Sequence, residues 1–196
     1  MYKKQMTFQR IVCFALLIAS ALVFVYSLGI MTDLYDALYS TIRNPKNLDR
    51  TTVTGSRIYY DMQDFNKMFT NMSIVLILVT LTLFITNTHS RRKYYIGNII
   101  TTALCTVYNV GFSVWAISQI MAYKAQFLQI NFEELKEHAE GMNTLYTDST
   151  MWFDISFVVF GILLVITVLL VVNLILKQIL MKEEKRLIGS RKDVRA

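Results

Sequence analysis

The stretch Ile74-Val-Leu-Ile-Leu-Val-Thr-Leu-Thr-Leu-Phe-Ile85 decides the fold. It holds no charge, proline or glycine and forms the centre of a longer apolar run, Phe69–Thr88. About 20 such residues make an α-helix long enough to cross ~30 Å of hydrocarbon. Lipid offers the backbone no hydrogen-bond partners, so a spanning segment is either a helix or a strand of a closed barrel. Barrel strands alternate apolar and polar residues over segments of about ten. This run does not alternate.

Three more blocks read the same way: Ile11–Met31, Tyr94–Met121 and Met151–Leu176. The sequence therefore predicts an all-α membrane protein, an antiparallel four-helix transmembrane bundle with short amphipathic helices in its two outer loops. The expected segments are a terminal flank 1–10, spans 11–31, 69–88, 94–121 and 151–176, loops 32–68, 89–93 and 122–150, and a tail 177–196. Lys3-Lys4, the apolar run after them and Ala19-Ser20-Ala21 imitate a cleaved signal peptide. The apolar sequence continues to Met31, so the first span is expected to be a retained anchor.

The chain has 196 residues, 54% of them hydrophobic, with one proline and two cysteines. That apolar share, gathered in blocks, excludes a soluble globule, a disordered chain, a collagen-like fibre and a disulfide-stapled module. It leaves little room for a large catalytic domain. Net charge is +6, and its distribution sets the expected threading. The 1–10 flank has Lys3, Lys4 and Arg10 without an acid, and the 89–93 loop has Arg91, Arg92 and Lys93 without one. Loop 32–68 is balanced, and loop 122–150 is acidic through Glu133, Glu134, Glu137, Glu140 and Asp148. Basic flanks stay on the cytoplasmic side, so both termini are expected inside and the two long loops outside. A nucleic-acid partner would need these bases gathered on one reading surface, and they are not. Disulfide-free loops and many lysines fit a bacterial plasma membrane.

The outer loops carry local order. Leu34, Leu38 and Ile42 continue a helical face beyond the first span until Asn44-Pro45 breaks it. Ile58, Met62, Phe65 and Phe69 form an amphipathic stripe over 57–69 that runs into the second span, widened by Tyr59 and Tyr60. Asn131 with Glu134 three residues later resembles a capping box, predicting a short helix ended by Gly141.

Polar residues inside the spans are the candidates for function. Asn98, Thr102, Cys105, Asn109 and Ser113 fall within an arc of about 80° at 100° per residue. Such a stripe is either interhelical packing or the lining of a polar pathway. With no ionisable group on it, packing is the favoured reading. Cys13, Ser20 and Ser27, and likewise Ser73, Thr80 and Asn87, recur every seven residues, as in a left-handed packing seam. Asp154, at the start of the fourth span, is expected at the outer mouth, where a helix N-terminus favours an acid. The fourth span, almost all Val, Ile and Leu, is expected to be the most lipid-exposed or a docking face. Lys177, Lys182, Lys185, Arg186 and Arg191 are expected to meet anionic headgroups or a partner, on a helix stopped by Gly189-Ser190.

Catalytic signatures are missing. There is no Gly-rich phosphate loop, no Gly-x-Ser-x-Gly elbow and no His-Glu-x-x-His pair, and the two cysteines lie in apolar spans where a thiol is inert. Glu134 and His138 lack a third ligand for a metal, so no cofactor is expected. The sequence points to a non-enzymatic accessory or assembly subunit of a larger membrane complex, with the bilayer and other membrane subunits or its own copies as partners. The alternatives are a homo-oligomeric channel or transporter lined by the third span, and a sensor binding ligands through its outer loops.

Overall fold

The computed structural model describes residues 2–39, 58–88, 95–133 and 149–193, with side chains over 4–29, 58, 62–87, 96–133 and 149–187. Four long helices account for nearly all of this: α1 (Tyr2–Tyr39), α2 (Ile58–Thr88), α3 (Tyr95–Phe127) and α4 (Met151–Asp193). No strand occurs among the described residues. All four helices contain a stretch long and apolar enough to cross a membrane: Lys4–Gly29, Met62–Asn87, Ile96–Phe127 and Met151–Leu187. The protein is an integral membrane protein with four membrane-length helices among the described residues.

Each helix runs further than its apolar block. α1 starts at Tyr2, so the 1–10 segment is no free flank. Gln5 and Gln9 sit four residues apart on the same face as Cys13 and Leu16, and all four are buried. The stripe predicted for 57–69 and the second span are one helix. Met62, Phe69, Leu76 and Leu83 continue one buried line at seven-residue spacing, with nothing to break it. α3 passes Met121 and ends at Phe127, in a turn where Gln129 N–H donates to Gln126 O and Ile130 N–H to Phe127 O.

α4 does not stop at Gly189-Ser190 and continues to Asp193. One helical glycine costs about 1 kcal/mol relative to alanine, too little to end a helix already propagating, and Arg191 and Lys192 suit its C-terminal end. Its 43 residues correspond to about 64 Å at 1.5 Å per residue, roughly twice the ~30 Å of hydrocarbon. The 131–140 helix begins as expected with Phe132 and Glu133. Its remainder, Gly141 and the Asn44-Pro45 break lie outside the described residues.

By packing, the chain divides into two units. The first takes in Met1–Ser20, Leu76–Val110 and Ile162–Ala196. Its interior mixes aliphatic residues (Val12, Leu16, Leu83, Leu163, Leu170) with hydroxyls and carboxamides. Within it, Gln9 pairs with Asn87 and Ser20 with Thr80, so α1 and α2 run antiparallel.

The second unit takes in Ala21–Val75 and Gly111–Gly161, and its interior is aromatic. Phe69 is fully buried and meets Phe65 (5.5 Å, stacked), Tyr26 (6.0 Å, edge-on), Phe112 (5.7 Å) and Phe160 (6.1 Å). Such ring pairs contribute about 0.5–1.5 kcal/mol each beyond area burial. Association in lipid has no hydrophobic drive between helices and depends on close packing and hydrogen bonds, so these contacts carry much of the cohesion here. The start of α4 is anchored in the same unit. The Tyr26 hydroxyl donates to Trp152 O at 2.8 Å, and the Trp152 ring lies over Gly29.

Candidate functional site

The α3 stripe is turned inward. Asn98, Thr102, Cys105, Asn109 and Ser113 are all buried, none more than 3% exposed. Asn109 is the joint. Its Nδ2 donates to Thr167 Oγ1 of α4 at 2.9 Å, and the Thr167 hydroxyl in turn donates to Leu163 O at 2.8 Å. The Cys105 thiol points at Asn109 Oδ1, 3.8 Å away. The result is a directed chain from α3 into the backbone of α4, with each donor assigned an acceptor.

A second layer consists of carboxamides. Gln5 Nε2 donates to Gln9 Oε1 at 3.1 Å and to Asn173 Oδ1 at 3.0 Å. Gln9 Nε2 donates to Asn87 O at 2.6 Å, with Asn87 Oδ1 3.3 Å away. Asn87 Nδ2 in turn donates to Leu83 O at 3.1 Å. One network thus joins α4, α1 and α2. Sequence reading missed Gln5 and Gln9 because they precede the apolar block. The signal was their four-residue spacing, and the seven-residue line Gln9, Leu16, Val23 that Gln9 begins.

The seven-residue seams of α1 and α2 face each other. Ser20 Oγ and Thr80 Oγ1 are 3.0 Å apart in the first unit, and Ser27 Oγ and Ser73 Oγ are 3.4 Å apart in the second. Each hydroxyl has one proton and an acceptor in its own helix: Leu17 O for Ser20, Leu76 O for Thr80, Phe24 O for Ser27 and Thr70 O for Ser73. Small size, which lets the backbones approach, is therefore the main contribution of these residues. Asn66, also buried, extends the α2 seam by one more heptad.

The other candidates divide. Asp154 is exposed, as expected of an interfacial acid. It pairs with Lys124 of α3 and accepts from Thr150 Oγ1 at 2.7 Å. Sequence spacing cannot reveal Lys124, which is 30 residues away. The amphipathic face at the start of α2 is not a free surface. Ile58, Met62, Phe65 and Phe69 are buried, and Phe65 packs on Trp115 and Tyr123 of α3 at 5.5 and 5.3 Å. Tyr59 and Tyr60 lie in the first turn of α2, their side chains outside the described residues.

Lys177 is only 7% exposed, on the inward side of α4 one turn beyond Asn173, so it is not placed as a surface contact for headgroups. Lys182, Lys185 and Arg186 are exposed. Arg191 is in α4, with its side chain outside the described residues. α4 and α2 each bury 28% of their most apolar stretch, less than α3 at 33% and α1 at 44%.

Cys13 and Cys105 are free and buried. Among the described residues no three His, Cys, Asp or Glu side chains gather to hold a metal. His89, Glu134 and His138 lie outside them. Carboxamides and hydroxyls bonded in this way can join helices, and they leave an interior of directed hydrogen bonds between α1, α2, α3 and α4. The chain matches no protein-family model, no curated protein and no solved structure.

Proposed function

We propose that this protein is a non-enzymatic accessory or assembly subunit of a larger complex in a bacterial plasma membrane. The observation that carries the reading is the use made of its polar residues. Asn109, Thr167, Gln5, Gln9, Asn87 and Asn173 bond helix to helix inside the chain, which supports packing rather than a solute pathway along α3. The spans instead turn large apolar side chains outward, among them Leu104, Val107 and Val114 of α3 and Val158, Val165 and Val168 of α4. α4 also continues beyond its apolar run as a helix whose residues 182–187 are all exposed. These exposed turns offer a partner a helical surface. Its bases Lys182, Lys185 and Arg186 suit an acidic partner or anionic headgroups.

Charge supports the threading. The first unit has thirteen Lys and Arg against three Asp and Glu, and the second has seven against eleven. The first unit contains both chain ends, so the excess of basic residues favours both termini in the cytoplasm.

The test is the mass of the intact assembly, purified at native expression in mild detergent after crosslinking in the membrane. A discrete complex containing other membrane subunits is expected. A stable lone monomer would overturn the proposal. Thiol labelling addresses the channel alternative. Cysteines placed at Asn98, Thr102 and Asn109 are expected to resist aqueous reagents in intact membranes, and uniform labelling would restore the pathway reading.

A further inference from the structure

We draw no further inference here: the strongest candidate, the exposed face of α3 on which Gly97, Gly111, Ser118 and Ala125 recur at multiples of seven residues, is a stripe of small side chains alone, and nothing in the structure shows what covers it.

Discussion

Asn109 Nδ2 donates to Thr167 Oγ1 at 2.9 Å, and both side chains are buried, one on α3 and one on α4. This bond turns a polar stripe in one helix into an attachment to another. Hydrogen bonds between membrane helices contribute modestly, averaging about 0.6 kcal/mol in measured cycles and reaching about 1.7 kcal/mol. A double-mutant cycle of Asn109→Ala and Thr167→Val is therefore expected to give a coupling of about 0.5–1.5 kcal/mol. Reversible unfolding in mixed detergent micelles reads it. Strictly additive effects would show that the two side chains do not meet.

The Ser–Ser and Ser–Thr seams make the opposite prediction. Each hydroxyl already has an acceptor in its own helix, so little is lost with the oxygen. Ser20→Ala and Ser27→Ala are expected to change stability by less than about 0.5 kcal/mol. Ser20→Leu, which adds volume where the helices touch, is expected to cost about 1–3 kcal/mol. The melting temperatures of the three variants in one detergent separate packing from hydrogen bonding. A large loss for both alanine variants would assign the seam to its hydroxyls.

Gly29 tests the close approach of α1 to the start of α4. A Cβ built there would lie 2.7 Å from Trp152 Cζ3, closer than two carbons tolerate. Gly29→Ala is expected to destabilise by about 1–3 kcal/mol through overpacking, and the added Trp152→Phe substitution to recover part of that. Gly111 and Gly161, with open space at the same position, serve as controls. Alanine at either is expected to be neutral or slightly stabilising, by up to about 1 kcal/mol. Equal losses at all three positions in thermal unfolding would remove the Trp152 contact as the cause.

The carboxamide layer predicts that the first ten residues matter for folding. Gln9 is 2% exposed and bonds to α2, so Gln9→Ala leaves Asn87 without its partner on α1. A loss of about 1–3 kcal/mol is expected. Lys4→Gln, at an exposed position, is expected to stay within about 0.5 kcal/mol of the parent. Protease resistance of the purified protein follows the same order. An unchanged Gln9→Ala variant would return residues 1–10 to the status of a tail.

Burial of Cys13 and Cys105, at 1% and 0% exposure, makes the two native thiols reporters of the fold. A small aqueous maleimide is expected to leave both unmodified in the native protein and to modify both after unfolding, as read by intact mass. Rapid native labelling at Cys105 would mean that water reaches the α3 stripe.

The number of spans and their antiparallel order were determined by sequence alone. Charge-free runs of about 20 residues have one structural solution in lipid, since every backbone group must bond within its own segment. The seven-residue recurrence of Ser20 and Ser27, and of Ser73 and Thr80, likewise marked the faces that meet. Helix ends were less legible. Gln5, Gln9 and Lys177 look like flanking polar residues until their neighbours are known, because hydropathy counts a carboxamide as a cost even where another carboxamide receives it. Which side chains pair across helices was decided only by the tertiary structure. Asn109 finds Thr167, Gln5 finds Asn173 and Lys124 finds Asp154, over separations of 58, 168 and 30 residues. No local periodicity encodes a contact between two chain segments, and it is these contacts that turn the α3 stripe into a joint between helices.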